Sequence, residues 1–209
     1  MPDDSPRAEY GRRLASRRAA GQQLERRHRL IGNFRLLTAI AAAILAFFVI
    51  ANGAPSALWL ILPACVFLAL LIFHARVNRD RTRCARAAAF YERALDRLDN
   101  RWTGRGETGE RFKHPHHPYA DDLDLFGRGS LFEFLSTART RTGEEMLAEW
   151  LRSPSPSDVL RARHAAVSEL KSRLDLREDL AILGEEIRAE ARKNSLAEWG
   201  EAPPGLVSS

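Results

Sequence analysis

The chain has 209 residues, enough for one ordinary domain or for a small domain with an additional segment. Its apolar fraction of 45% excludes wholesale disorder, and its two cysteines exclude a disulfide scaffold and a cysteine-rich zinc module. The net charge is +5, and arginine supplies almost all of the positive charge, since Lys113, Lys171 and Lys193 are the only lysines. Apolar residues are concentrated between positions 34 and 75, which indicates a membrane segment attached to highly charged regions.

Two apolar runs, at 34–51 and 57–73, each approach the roughly 20 residues that a transmembrane helix needs. Arg35 is the only charged residue in the first run, and the second run has none. The connector at 52–56 (NGAPS) has the composition of a turn. Pro63 lies within the second run, where a membrane helix tolerates proline and can be kinked by it. We therefore predict a transmembrane helical hairpin over residues 33–75, with the lipid bilayer as its partner.

Two other interpretations of the apolar runs fit less well. A signal peptide would not begin after some thirty polar residues, and it would end in a cleavage site of small residues. A buried hairpin in a soluble protein would need a large partner surface, which the rest of this chain does not supply. The membrane hairpin remains the prediction.

Arginines are abundant on both flanks of the predicted hairpin and absent from its connector. The arginines of the two flanks include Arg12, Arg13, Arg17, Arg18, Arg26, Arg27 and Arg29 before the first run, with Arg35 at its start, and Arg76, Arg79, Arg81, Arg83 and Arg86 after the second. Positively charged flanks stay in the cytoplasm, so we expect a multi-pass protein of the inner (cytoplasmic) membrane with both termini cytoplasmic. Such runs can also bind nucleic acid, but their position beside a membrane segment already explains them.

The polar flanks are predicted to be helical as well, as a basic cytoplasmic helix at 1–32 and a continuation helix at 76–100. The second flank carries a heptad pattern formed by Cys84, Ala88, Tyr91, Leu95 and Leu98. The first flank carries the same period at Tyr10, Leu14, Leu24 and Ile31, interrupted by Arg17, Gly21 and His28. The two flanks therefore either pair as an antiparallel stalk or remain two separate solvated amphipathic helices.

Residues 101–119 have the composition of a Gly/Pro-rich linker. Gly104, Gly106 and Gly109 form a formal G-x-G-x-x-G, but no predicted strand precedes it and no βαβ unit surrounds it, so a dinucleotide site is not expected. The segment HPHHP at 114–118 places histidines between prolines with no cysteine or carboxylate at ligand spacing. We interpret it as an ordered loop rather than a metal site.

Residues 120–209 read as a small helical domain with at most one short strand, at 121–126. Three helix starts are predicted, at the capping box Ser130-x-x-Glu133, at Thr142-x-x-Glu145, and at Ser155 followed by Pro156. A break is expected at Asn194-Ser195. The fold class is therefore all-α, a transmembrane hairpin with long flanking helices followed by this domain.

The predicted core of this domain follows the apolar faces of its helices. The inward residues are Met146, Leu147, Trp150 and Leu151 on one helix, Leu160, Val167, Leu170 and Leu174 on the next, and Leu176, Leu180, Leu183 and Ile187 on the last. Trp150 is expected to be a buried core anchor.

No catalytic, cofactor-binding or metal-binding residues are predicted in this chain. His164 has no evident serine or cysteine nucleophile, the carboxylates fall on polar helix faces, and no G-x-x-x-x-G-K-[ST] phosphate loop occurs. ATPase activity and tight nucleotide binding are therefore not expected. Residues 120–209 carry 12 positive and 17 negative side chains, so weak binding of duplex DNA is expected.

Several motifs in this domain occur in the order found in one protein family. They are LDLF at 123–126, Ser130-Leu131, Leu135, Thr140-x-Thr142-Gly143, Leu147, Trp150-Leu151, Pro154, and Arg163-x-x-Ala166-Val167-x-Glu169-Leu170. This order resembles the opening of the helical core, or lever, domain of MutS-family DNA mismatch repair ATPases. Together with the hairpin, it resembles a membrane-anchored bacterial branch of that family.

The resemblance implies a helical-bundle core domain that couples an ATPase to a DNA clamp. Neither the clamp nor the ATPase falls within these 209 residues, so the chain is expected to be an N-terminal piece of a longer protein. Its full-length form would be a homodimeric, DNA-dependent ATPase that binds ATP, Mg²⁺ and mismatched DNA through regions missing here. The alternative is a membrane-anchored helical scaffold for protein–protein interaction, without DNA or ATP function.

Overall fold

The computed structural model describes residues 5–52, 59 and 61–201, with side chains described up to residue 191 except for that of Asn52. Within these residues the protein is all-helical, as predicted. The helices are α1 (Pro6–Asn52), α2 (Ile61–Leu98), α3 (Leu131–Leu135), α4 (Arg141–Arg152), α5 (Ser157–Ser172) and α6 (Leu174–Glu201), with a short 3-10 helix at Glu110–Phe112. The predicted connector turn lies mostly outside the described residues.

The chain divides into two compact units. The first, called the hairpin unit, comprises residues 12–88, and the second, called the helical module, comprises residues 1–11 and 89–209. Because α1 and α2 each extend from one unit into the other, the boundaries fall within helices rather than in loops.

Each long helix contains one predicted apolar run and one predicted polar flank without interruption. α1 has 47 residues and α2 has 38. Pro63 lies in the first turn of α2, where the missing N–H has no intrahelical acceptor to serve, so a kink is not required there. α2 ends at Leu98, close to the predicted end, and Asn100 turns the chain with a φ of 54°.

The core of the helical module is aromatic. Phe132 is fully buried and its ring centroid lies 5.4 Å from that of Phe112 and 5.7 Å from that of Phe126. Ala120, Leu125 and Ala148 complete the buried cluster, while Leu147 and Leu151 of α4 pack against it. Burial of this apolar surface is the main source of stability for the module.

Residues 121–126, predicted as a strand, form turns instead. Asp124 adopts a φ of 46°, and the amide of Leu125 donates to the carbonyl of Ala120. Leu123 is exposed while Leu125 is buried, so the expected shared face is absent. A residue with positive φ ends an extended backbone, which the alternation of leucines could not reveal.

The predicted helix starts are confirmed at α3 and displaced at α4 and α5. The Ser130 hydroxyl accepts from the Glu133 amide, as predicted. The cap of α4 is Thr140 rather than Thr142, because its hydroxyl accepts from the Gly143 amide. At α5 the cap is Pro156 rather than Ser155.

The predicted inward faces of α5 and α6 are wrong in the described structure. The exposed apolar residues of these faces are Leu160, Val167, Leu176, Leu180, Leu183 and Ile187, and only Leu174 among the eight is buried. α6 instead buries Ile182 and Glu178, and the Tyr91 hydroxyl donates to the Glu178 carboxylate at 2.5 Å. This buried hydrogen bond to α2 determines which face of α6 points inward. That face differs from the one predicted by the spacing of apolar residues.

Three further predictions on α4 and α6 are corrected, the first being Met146, which is 50% exposed rather than inward. Trp150 is 45% exposed rather than a core anchor, and it lies beneath the Arg163 guanidinium, whose Cζ is 4.0 Å from the ring centroid. α6 continues through Asn194 and Ser195 to Glu201 without the expected break.

Candidate functional site

The most extensive candidate site is the outer surface of the hairpin unit. α1 and α2 each contain an 18-residue stretch long and apolar enough to cross a membrane, and neither stretch is buried within the structure. The exposed apolar side chains of this surface include Leu36, Leu37, Ile40, Ile44, Phe47 and Phe48 on α1, and Val66, Leu68, Leu71, Ile72 and Phe73 on α2. So large a contiguous apolar surface is typical of a membrane or protein contact, because water would otherwise disfavour it.

Within the hairpin unit, α1 and α2 contact each other in antiparallel order. Arg81 Nε lies 2.6 Å from Glu25 Oε2, and the imidazole centroids of His28 and His74 are 4.4 Å apart. Further along, the Arg35 guanidinium lies 5.5 Å from the centroid of the Phe67 ring. Residues later in α1 therefore contact residues earlier in α2. The two helices pair as the antiparallel stalk and are not two separate solvated helices.

The residues that interrupt the heptad pattern of α1 lie at this helix–helix contact. A Cβ placed on Gly21 would be 4.0 Å from Cβ of Cys84, and His28 stacks on His74. Leu14, a heptad residue, is buried as well. Small and polar residues thus take part in the pairing, which a purely apolar heptad rule overlooks. Both cysteines, Cys65 and Cys84, are free thiols.

The glycine-rich segment, predicted as a linker, surrounds a carboxylate of its own chain. Glu133 is buried, and its two carboxylate oxygens accept from the amides of Gly106 at 3.1 Å and Gly129 at 2.8 Å. Burial raises the pKa of Glu133, but the hydrogen bonds from these amides, with those of Gly104 and Arg105, outweigh it and hold the pKa below its usual value. These backbone amides therefore already bind the carboxylate of Glu133 rather than an external anion.

Gly109 shows why this segment needs glycine. Its φ is 67°, and a Cβ there would lie 2.5 Å from Cδ1 of Phe132. The loop backbone thus packs directly on the most buried ring of the core.

The histidine-rich loop makes structural contacts. His117 Nε2 lies 3.0 Å from the carbonyl oxygen of Arg152, and its ring stacks edge-on against Tyr119 with centroids 4.5 Å apart. The Tyr119 hydroxyl donates to the same carbonyl at 2.5 Å. Across the described ranges, no group of three or more histidine, cysteine, aspartate or glutamate side chains is arranged to hold a metal ion.

One feature of the helical module was not predicted from the sequence. Arg93 and Arg97 of α2, Arg139 of the α3–α4 loop and Arg177 of α6 line a groove of about 400 Å³. These arginines come from three separate segments, so only the tertiary structure brings them together. Their abundance in the sequence gave no signal, because arginines are numerous along the whole chain.

Comparison with known proteins gave no relative. No family model, no curated protein and no solved structure matches this chain.

Proposed function

We propose that this chain is a membrane anchor that holds a small α-helical module of MutS type at the cytoplasmic face of the inner membrane. The observation that carries the anchoring role is the antiparallel pair of α1 and α2 with its apolar side chains facing outward. A bilayer solvates such a surface, and the helices satisfy their own backbone hydrogen bonds in lipid. The arginine-rich flanks support cytoplasmic termini by the positive-inside rule.

Membrane embedding is tested with exposed apolar residues replaced by arginine. Ile44→Arg combined with Leu68→Arg places charge on both outer helix faces, and each such residue costs about 2.5–3.5 kcal/mol at the centre of a membrane helix. Leu123→Arg is the matched control, since Leu123 is 60% exposed, similar to Ile44 at 54% and Leu68 at 59%, but lies in the helical module. We expect the double variant alone to leave the alkali-resistant membrane fraction. Equal retention of all three proteins would contradict the anchor.

Orientation is tested with single cysteines in a background in which Cys65 and Cys84 are alanine. Ser56→Cys should react with an impermeant maleimide from the periplasmic side of spheroplasts. Ser168→Cys, on the exposed surface of α5, should react only after permeabilisation. Labelling of both positions from the same side would refute the proposed topology.

The MutS-type role rests on the order of motifs in residues 120–175. Two of these motifs coincide with helix starts, since Ser130 caps α3 and Thr140 caps α4. The Arg163–Leu170 motif lies within α5. The role in mismatch repair, the homodimer and the use of ATP and Mg²⁺ are proposals for a longer protein. Reading the gene beyond the codon for Ser209 tests them, since a phosphate loop of the form G-x-x-x-x-G-K-[ST] should follow.

A scaffold for protein–protein interaction is the second candidate function. The exposed leucines of α5 and α6, among them Leu160, Leu180 and Leu183, favour it, because a surface of this kind is typical of contact with another protein. The intact mass of the protein isolated from its source cells separates the two candidates. A mature chain that ends at Ser209 supports the scaffold, and a longer chain supports the MutS-type protein.

A further inference from the structure

The groove of about 400 Å³ in the helical module lies among α2, the α3–α4 loop, α5 and α6. α2 contributes Arg93 and Arg97, the α3–α4 loop contributes Arg139, and α6 contributes Arg177 and Leu180. Its volume falls within the range of small-molecule pockets in proteins, roughly 300–1,000 Å³.

The charge that faces this groove is strongly positive. Among the described residues no acidic side chain lines it, and the carboxylate of Glu185 lies 3.1 Å from Arg139 Nε and 3.6 Å from Arg93 Nη2. Glu92 also attracts Arg93, and Arg93, Arg97 and Arg139 also line a neighbouring cavity that holds Asp96, Glu107 and Glu133.

The guanidinium of Arg97 has backbone carbonyl partners, whereas that of Arg139 has an ion-pair partner, Glu185. Arg97 donates to the backbone carbonyls of Phe134 at 3.1 Å and Ser136 at 3.0 Å, which positions its guanidinium without neutralising it. The Nε of Arg139 is buried and, despite the nearby Glu185, makes no hydrogen bond within the described part of the chain.

Electrostatic strain among the arginines supports the same conclusion. Burial lowers the pKa of Arg93, and the neighbouring charge of Arg139 lowers it further, against the attraction of Glu185. The pKa of Arg97 is also lowered, first by burial and then by Arg139. The guanidinium groups stay charged and repel one another, and an anion bound among them would reduce this repulsion.

The remaining wall of the groove is apolar. Phe90 of α2, Leu170 of α5 and Leu180 of α6 line it. Gly184 brings α6 close to the arginines, since a Cβ at this position would lie 2.8 Å from Cβ of Arg139. A ligand that fills this groove therefore combines an anionic group with an apolar body.

We propose that this groove is a binding site for a phosphate monoester joined to an apolar group, with the phosphate held by Arg93, Arg139 and Arg177 and the apolar group against Phe90 and Leu180. Arginine favours this role because its planar fork of donors matches phosphate oxygens in pairs. A soluble phosphate ester and the headgroup of phosphatidic acid share this chemistry.

The test measures binding by calorimetry to the full chain in detergent. The probes are inorganic phosphate, phenyl phosphate and a short-chain phosphatidic acid. We expect saturable binding of phenyl phosphate, of phosphatidic acid or of both, and at least about tenfold weaker binding of inorganic phosphate, which lacks the apolar group. Phenyl phosphate binding would identify a soluble ester as the source, whereas binding of phosphatidic acid alone would identify a lipid.

Charge variants locate the site. Arg177→Gln leaves the Glu185 ion pairs intact and should weaken binding about tenfold or more, as should Arg93→Gln. Arg141→Gln and Arg173→Gln are the matched controls, because each removes an exposed arginine whose partner is a neighbouring glutamate on the same helix or at its end. The proposal is overturned if the wild-type chain binds neither ester, if inorganic phosphate binds as tightly as the esters, or if the control variants lose as much affinity as Arg177→Gln.

Discussion

The two units of this protein use the same residue types in opposite ways. In the hairpin unit, phenylalanine, leucine and isoleucine face outward, while a histidine pair and a glutamate–arginine ion pair link the two helices. In the helical module, phenylalanine lies at the centre and the charged residues surround it. Phe47 is 67% exposed and Phe132 is fully buried, although both are phenylalanines on helices.

This inversion indicates what solvates each unit. A water-soluble domain is stable because apolar area is removed from water, so its large apolar side chains are inside. A helix pair with its apolar side chains outside is stable only where lipid or another apolar surface replaces water. The contrast between the units therefore predicts different responses to the same substitution.

The largest difference is expected for phenylalanine truncation. Phe132→Ala removes the centre of the aromatic core and should lower the free energy of unfolding by about 3–5 kcal/mol. Phe47→Ala, in the hairpin unit, should change it by less than about 0.5 kcal/mol in detergent, because its side chain is 67% exposed and its ring contact is with the adjacent Phe48. Denaturant unfolding followed by tryptophan fluorescence measures both. Comparable losses would show that the outward face of α1 is packed against protein.

A second contrast concerns glycine. Gly109→Ala places a Cβ against the Phe132 ring at a positive φ, and it should destabilise the module by about 2–4 kcal/mol. Gly32→Ala is the control, because a Cβ there meets nothing within 4 Å on a helix, and it should stabilise α1 by about 0.5–1 kcal/mol. The midpoints of thermal unfolding should therefore move in opposite directions, and a fall for both variants would contradict the description of α1.

The buried carboxylate provides a smaller effect that depends on pH. Glu133→Gln replaces a charged acceptor of backbone amides and should cost about 1–3 kcal/mol at neutral pH. Because the pKa of Glu133 is lowered on folding, its contribution to stability is complete above the ordinary glutamate pKa and is lost as pH falls through the folded value. Urea unfolding between pH 7 and strongly acidic pH should show the wild type and the variant converging at the acidic end. A constant difference would contradict the hydrogen-bonded carboxylate.

The smallest effect is expected at Trp150. Its ring is half exposed beneath Arg163, so Trp150→Ala should cost only about 0.5–1 kcal/mol, the usual contribution of an exposed cation–π pair. A double-mutant cycle with Arg163→Gln isolates the coupling. A loss of unfolding free energy as large as that of Phe132→Ala would show that Trp150 is a buried core residue.

The sequence predicted the long helices well and the module's core poorly. The two apolar runs and the heptad residues placed α1 and α2 correctly because length and local periodicity determine such helices. The predicted inward face of α6 is exposed because the orientation of this helix depends on Tyr91 and Glu178, residues 87 positions apart that meet through one buried hydrogen bond. No local pattern encodes that pairing.

The same distinction between local patterns and long-range contacts applies to the candidate sites. The outward face of the hairpin could be read directly from hydropathy, since each of its helices is local in sequence. The arginine groove could not, because Arg93, Arg139 and Arg177 come from separate elements. The sequence predicts only a linker for the glycine-rich segment. Its partner, Glu133, lies 27 positions beyond Gly106, so no local pattern reveals the contact.

The first turns of α1 belong to the helical module although most of that helix belongs to the hairpin unit. The ring centroid of Tyr10 lies 6.1 Å from that of Tyr91, and Arg7 pairs with Asp99. The module is therefore built from chain segments that precede and follow the hairpin unit. During synthesis, at roughly 5–20 residues per second, the ribosome therefore makes this N-terminal piece several seconds before its partner segment. The apolar helices leave the ribosome in that interval, so both are synthesised before the module can be completed.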